Sequence, residues 1–287
     1  MNNMETVFST ADLRIKVSAW RRAGERVAFV PTMGNLHDGH IALLDRARQE
    51  ADRTVFSIFV NPIQFGQGED YAKYPSTLRS DQEKLSRRGL DVLFAPNLQE
   101  LYPAGTEEDT RVTVPGLSSI LCGEFRPEHF SGVATVVTKL FFSVLPDCAL
   151  FGEKDLQQLM VIRRMVDDLC IPIEIIGHPI IRESDGLAMS SRNSYLSDDE
   201  RAIAPAIYAA LRSAQSLVVK DNADFRRIED DAIKGLRDGG FKPEYFTIRR
   251  SQDLSEAQVH EKELSILVAA WLGNARLIDN VQVTWNG

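Results

Sequence analysis

The chain has 287 residues, 44% apolar and 26% charged, enough to bury a large core in one big domain or two. Its net charge of −8 argues against a nucleic-acid partner, so any phosphate it binds must sit in a local basic pocket. Three cysteines without metal spacing point to a reducing compartment, and no stretch approaches the ~20 apolar residues of a membrane span; the expected setting is the cytoplasm, with no membrane partner.

Leu13, Val17 and Trp20 predict a helix over residues 10–24, capped by Ser9 or Thr10 and ended by Gly24. Residues 27–30 (VAFV) form a short β-branched run, the pattern of a buried strand, which Pro31 is expected to end because it lacks an N–H. Gly34, Asn35, Asp38 and Gly39 then make a turn-rich loop before a helix over 41–51. Strand, glycine loop, helix is the order in which an α/β sheet holds a phosphate. This loop carries His37 and His40, two of the chain's five histidines. As a metal site the pair lacks a third ligand nearby. A solvated loop is the plain alternative. A phosphate site fits best, since Gly39 admits an anion to the backbone and imidazole N–H groups donate to phosphate oxygens.

Residues 54–60 read as the next strand, which closes a right-handed βαβ unit with parallel strands. Asn61 and Gln64 follow it, in either a plain turn or a pair of amides for a substrate's hydroxyls. Gly66, Gln67 and Gly68 precede no clean helix, and no GxxxxGK[ST] string occurs, so ATP, if bound, is not held by a P-loop. A helix over 76–88, a strand over 91–95, a short strand over 111–114 and an apolar helix over 133–144 come next; Arg126 and His129 are candidates for anion contact or surface residues. A strand over 149–151 leads into Gly152, Glu153, Lys154 and Asp155, which open a helix over 156–169. Lys154 suits a phosphate, because the helix macrodipole gives no reason for a lysine there; Asp155 suits a ribose or a helix cap. Strands over 173–176 and 179–182 and a tight turn at Asp185 and Gly186 precede Met189, Ser190, Ser191, Arg192 and Asn193. Two hydroxyls and a guanidinium are the inventory of a phosphate clamp, or else a polar loop before the next helix. Beyond Ser197 the texture changes. Helices over 198–220 and 224–239, and strands over 245–249, 264–270, 276–278 and 281–285, suggest a second domain from about residue 183, serving as lid or wall.

Four strings, PTMGNLHDGH, FVNPIQF, FGEKDLQQL and MSSRN, occur in order across the chain. Together they resemble the pantoate–β-alanine ligase family of the HIGH-motif nucleotidyltransferases. The resemblance implies an α/β protein: a Rossmann-like parallel-sheet catalytic domain (1–182) that binds ATP and pantoate, and a smaller α+β lid domain (183–287). It implies ATP-dependent joining of pantoate to β-alanine through a pantoyl adenylate, with AMP and pyrophosphate released, Mg2+ accompanying ATP, and a homodimer. Carried over by position, Met33, Gly34, Asn35, Leu36, His37, Asp38, Gly39 and His40 line the ATP site, with His40 as proton donor. Gly152, Glu153, Lys154 and Asp155 hold ribose and phosphate, Ile181 gives a backbone contact to adenine, and Met189, Ser190, Ser191 and Arg192 form the second phosphate segment. His37, His40, Lys154 and Arg192 are the catalytic set, Gln64, Gln158 and Asn61 the substrate-binding set, and Asp81 falls near a position linked to magnesium. Ser131 departs from the family, where many relatives carry arginine. A nucleotidyltransferase that stops after AMP or CMP transfer would want more cations at the acceptor than Gln64 and Gln158, and a nucleotide sensor would lack some histidine, lysine or clamp residue.

Overall fold

The computed structural model describes residues 4–66, 68–220, 223–258 and 261–284. The chain divides into two compact units: Met1–Glu153 with Gln158–Pro179, and Lys154–Gln157 with Ile180–Gly287. Among the described residues, no helix is long and apolar enough to cross a membrane.

The first unit is built on β1 (Glu5–Val7), α1 (Thr10–Arg22), β2 (Val27–Thr32), α2 (Asp38–Glu50), β3 (Arg53–Ile58), α3 (Leu78–Arg87) and β4 (Val92–Phe94). Two short helices, α4 (Leu98–Leu101) and α5 (Cys122–Phe125), lead to α6 (His129–Val144), β5 (Cys148–Gly152), α7 (Leu156–Asp168) and β6 (Glu174–His178). The six strands form one sheet in the order β1-β4-β3-β2-β5-β6, and every pairing is parallel. Apolar runs such as Val27, Ala28, Phe29 and Val30, all fully buried, are what a sheet covered on both faces requires. The chain lays β3 and β4 on one side of β2, then returns to lay β5 and β6 on the other. Strand order thus reverses between β2 and β5, which opens a crevice at their carboxyl ends. The opposite ends are tied by carboxylates: Asp147 accepts from the Val27 N–H at 2.7 Å, and Asp91 from the Thr54 N–H at 2.9 Å.

Two expectations fail in this unit for stated reasons. β2 runs past Pro31 to Thr32. β5 pairs with it only at Ala28 and Phe29 while β3 stays paired through Thr32, so the ladder is one-sided where proline falls and the missing N–H is tolerated. Residues 111–114 form no strand, and the Val112 N–H goes to the Thr135 hydroxyl at 2.9 Å.

The second unit holds α8 (Asp198–Ile203), α9 (Ala206–Val218), α10 (Phe225–Asp238) and an antiparallel sheet β7-β8-β9 (Lys242–Arg250, Glu263–Leu272, Ala275–Thr284). Leu211, Ile266 and Ala270, none of them exposed, sit at its core. The single helix expected over 198–220 is two, because Pro205 interrupts it. Residues 179–182 are not a strand; they contribute one isolated bridge, Arg182 to Ala188, around the tight turn at Gly186. The two strands expected over 276–278 and 281–285 are the single β9, with Trp285 outside the described residues.

Leu44, on the buried face of α2, is fully buried in the first unit's core. Leu44→Ala should lower unfolding free energy by about 2–5 kcal/mol, read as a shifted urea midpoint at unchanged slope.

Candidate active site

The loop after β2 is held at every step. The Thr32 hydroxyl donates to the Ser57 carbonyl (2.8 Å) and accepts the Gly34 N–H (3.2 Å). Gly34 has φ +84°, and a Cβ there would lie 3.0 Å from Ile58 Cγ2 and 3.2 Å from Asp81 Oδ2, so glycine is required twice over. Asp81, 1% exposed, receives the next two amides: Asn35 N–H on Oδ2 at 2.9 Å and Leu36 N–H on Oδ1 at 3.0 Å. The Thr77 hydroxyl adds a third bond to the carboxylate, on Oδ2 at 2.9 Å, and Lys84 donates to the Leu36 carbonyl. Asp81 is therefore a loop clamp: its two oxygens take two backbone N–H groups and one hydroxyl.

The clamped loop delivers two histidines to the N-terminus of α2. His37 is the N-cap; its Nδ1 accepts the Gly39 N–H at 3.2 Å, and His40 Nδ1 accepts the His37 N–H at 3.3 Å. The two rings lie 4.1 Å apart, centroid to centroid. A neutral imidazole that accepts at Nδ1 carries its proton on Nε2. Both rings are thus fixed as Nε2–H donors, at a helix terminus whose dipole favours anions.

Asn61 and Gln64 follow β3, in a turn braced from several sides. Asn61, 1% exposed, spends its whole amide internally: Nδ2 donates to Gln64 Oε1 and to the Gly132 carbonyl, each at 3.1 Å, and Oδ1 accepts from the Tyr102 hydroxyl at 2.9 Å. Burial pushes the Tyr102 phenol well above its usual range, which keeps it a neutral donor. Asn61 thus orients Gln64. The Gln64 Nε2 lies 3.2 Å from Met33 Sδ, linking this turn to the histidine loop. The Gln64 carbonyl accepts from His129 Nδ1 at 2.8 Å, and Arg126 links His129 Nε2 (3.1 Å) to Glu69 (Nε to Oε1, 2.6 Å). Arg126 and His129 thus hold protein, not anion. Burial pushes the Glu69 carboxyl up, but the hydrogen bond and charge of Arg126 bring it to a net position below the usual carboxylate range.

After β5, Glu153 packs against Gly177, where a Cβ would come within 2.9 Å of Glu153 Oε1. Gln158 is half-buried near the start of α7. Within the second unit, Lys154 Nζ stands 3.6 Å from Asp155. Ile181 accepts the Met189 N–H through its carbonyl at 2.9 Å. Ser190 caps a 3-10 turn (Ser191–Tyr195) by accepting the Arg192 N–H at 3.3 Å, and Asn193 Nδ2 donates to the Ala188 carbonyl at 3.0 Å. Among the described residues, no group of three or more His, Cys, Asp and Glu side chains is arranged to hold a metal ion. Gln67, in the glycine-flanked stretch, lies outside the described residues.

Sequence reasoning passes over Gly132 and Tyr102. Gly132 sits inside α6, where glycine costs helix stability, and that cost is the available signal. The reason is contact: a Cβ there would come 2.6 Å from the Ile63 carbonyl oxygen and 2.7 Å from Gln64 N and Cα.

A parallel sheet with a donor-rich loop at its switch point defines a nucleotide-binding α/β protein of Rossmann-like architecture. A family model described as pantoate-beta-alanine ligase matches residues 5–282. The chain is 52% identical over 281 residues to the pantothenate synthetase of Pseudomonas fluorescens (strain SBW25), covering 98% of this chain and 99% of that protein. It is 53% identical over 280 residues to that of Thioalkalivibrio sulfidiphilus (strain HL-EbGR7), covering 98% of each. Among solved structures, pantothenate synthetase from Thermus thermophilus superposes with TM-score 0.90 at 46% identity, over 97% of this chain and 99% of that one. Pantoate-beta-alanine ligase from Francisella tularensis, complexed with beta-gamma ATP and beta-alanine, superposes with TM-score 0.81 at 34% identity, over 97% of each. The chain belongs to the pantoate–β-alanine ligase family.

Gly132→Ala should force α6 off the 61–64 turn, costing about 1–3 kcal/mol of stability by overpacking, read as a lowered urea midpoint. The Glu69–Arg126 pair predicts a pH effect. Because the folded pKa of Glu69 lies below its unfolded value, the pair contributes stability above the unfolded value (~4.3) and loses it as pH falls through the folded one. Thermal melts at falling pH should show the midpoint of Glu69→Gln declining less steeply than that of the parent.

Proposed function

We propose that the protein condenses pantoate with β-alanine at the expense of ATP, through a pantoyl adenylate, releasing AMP and pyrophosphate. The observation that carries this reading is the histidine capping box, in which the Nδ1 atoms of His37 and His40 accept backbone N–H groups at the start of α2; the proposal gives their Nε2–H groups to the phosphates. In the first step a pantoate carboxylate oxygen attacks the α-phosphorus. A new P–O bond forms as the bond to pyrophosphate breaks, so no protein nucleophile takes part. Charge gathers on the phosphoryl oxygens and the leaving pyrophosphate, and preorganised donors lower that barrier. His37 and His40 donate hydrogen bonds from the first unit through their Nε2–H groups, and His40 is the donor to the leaving pyrophosphate. Lys154, Ser190, Ser191 and Arg192 are the phosphate-binding groups of the second unit, and Ile181 gives adenine a backbone contact.

Gln64 and Gln158 bind pantoate's hydroxyl groups, and Asn61 holds the Gln64 amide for that task. Met33, Gly34, Asn35, Leu36, Asp38 and Gly39 wall the nucleotide, as do Gly152, Glu153 and Asp155. In the second step the neutral amine of β-alanine attacks the adenylate's carbonyl carbon. The amide bond forms, AMP leaves, and the amine's proton is lost. The adenylate is a mixed anhydride, and the lid role assigned to residues 183–287 is to keep water from it. Mg2+ arrives on the phosphates of ATP, as part of the substrate. A homodimer in the cytoplasm, acting on these small molecules and not on nucleic acid or membrane, completes the proposal.

The test is ATP–pyrophosphate isotope exchange with pantoate present and β-alanine absent. Exchange that depends on pantoate is expected; absence of exchange in folded protein that binds ATP would reject the adenylate. His40→Ala should reduce the exchange rate by at least a hundredfold, in the range of a lost preorganised oxyanion donor (~10²–10³), and a near-parental rate would remove His40 from the mechanism.

A further inference from the structure

The second unit contains a buried ion pair that none of the chemistry above uses. Arg182 meets Asp279 of β9 through both prongs of its guanidinium, one nitrogen to Oδ2 at 2.6 Å and the other to Oδ1 at 2.9 Å. Asp279 is 3% exposed, and the guanidinium carbon of Arg182 lies 3.7 Å from the centre of the Tyr208 ring. Burial pushes the Asp279 carboxyl above its usual range, against the pull of Arg182 and Lys154. A pair placed there is costly to desolvate, and apolar side chains of similar shape would serve stability as well or better. Its presence calls for a second role.

That role is visible in what the pair holds. The Arg182 guanidinium also donates to the Gly186 carbonyl at 3.0 Å, in the turn before Met189, and the Arg182 backbone bridges to Ala188. Asp279 Oδ1 accepts the Asn280 N–H at 2.7 Å, and Asn280 Nδ2 donates to the Lys154 carbonyl at 3.1 Å. Asn280 is 4% exposed. One carboxylate thus stands behind both segments of the second unit to which phosphate binding is assigned: the turn entering Met189 through Arg182, and Lys154 through Asn280. The hydrogen bond from Asn280 accompanies the membership of Lys154–Gln157 in this unit.

We propose that Asn280, fixed in place by the Asp279–Arg182 pair, is a positioning residue for Lys154, setting the backbone from which the lysine ammonium reaches the triphosphate. Asn280 touches no substrate; it acts through the lysine. The inference rests on the phosphate role of Lys154 proposed above.

A double-mutant cycle separates this from a purely structural part. Pantoate-dependent ATP–pyrophosphate exchange is measured for the parent, Asn280→Ala, Lys154→Ala and the double variant, with thermal melts as a check on folding. In the parent background Asn280→Ala should lower kcat/KM for ATP about tenfold while KM for pantoate stays within twofold. In the Lys154→Ala background the same change should cost less than twofold, because the group it positions is gone. Equal losses in both backgrounds, or no loss in the parent, would overturn the inference and leave the ligase reading intact. Full activity in Lys154→Ala would instead overturn the lysine's role, and the inference with it. Should Asn280→Ala fail to fold, Asn280→Ser, one bond too short to span to the Lys154 carbonyl, carries the same cycle.

Discussion

Just beyond β2 the chain leaves the sheet with two consecutive amides, Asn35 and Leu36, that no strand or helix takes up. Leu36 is 2% exposed, so water cannot take its amide either. Asp81 accepts both, one on each oxygen. Hydrogen bonds to a charged acceptor contribute about 1.5–3 kcal/mol each, and an abandoned buried donor costs as much again. The loop therefore has one course open to it. Gly34 must be glycine because it lies against that same carboxylate, and Asn35 takes a positive φ of 52° so that successive N–H groups can converge on it. His37 follows directly, so where its imidazole sits depends on a side chain 44 positions along the chain.

That placement also explains why histidine, and not a commoner capping residue, begins α2. Serine or aspartate would satisfy the orphan N–H groups at the helix terminus as well. Each, however, ends at the atom that does the capping. An imidazole caps with one nitrogen and keeps a second, protonated, on the far side of a rigid ring. The two roles are coupled: Nδ1 can accept from the backbone only while Nε2 holds the proton. A single local geometry therefore sets ring position and tautomer for both histidines.

Much of this was legible in residue order because the chemistry shows in residue type. A β-branched run, a glycine loop and an amphipathic helix can assemble in few ways, and the switch-point loops follow from right-handed crossovers. What stayed hidden is the direction in which a polar group spends its hydrogen bonds. Asn61 and Gln64 look alike in sequence, yet Asn61 is consumed by Tyr102, Gly132 and Gln64 itself. Asp81 reads as a possible cation ligand until its partners are seen to be backbone amides from a distant loop. Arg126 and His129 suggest an anion and instead brace the Gln64 carbonyl. Pro31 misleads for a related reason: whether a missing N–H ends a strand depends on which neighbour lies beside it.

Both units solve the same problem with the same device. Donors proposed to face a triphosphate would, if flexible, have to be ordered at the moment of reaction. Buried carboxylates settle that order in advance: Asp81 fixes the backbone leading to the two histidines, and Asp279 fixes the backbone around Lys154 and the entry to Met189. Neither carboxylate needs to meet the ligand. Placing these two charges behind the main chain lets them order the backbone without occupying the donors' own side-chain groups. Preorganisation of this kind lowers the barrier because little rearrangement remains once charge develops. It also accounts for buried ions in a fold whose apolar core could be stable without them.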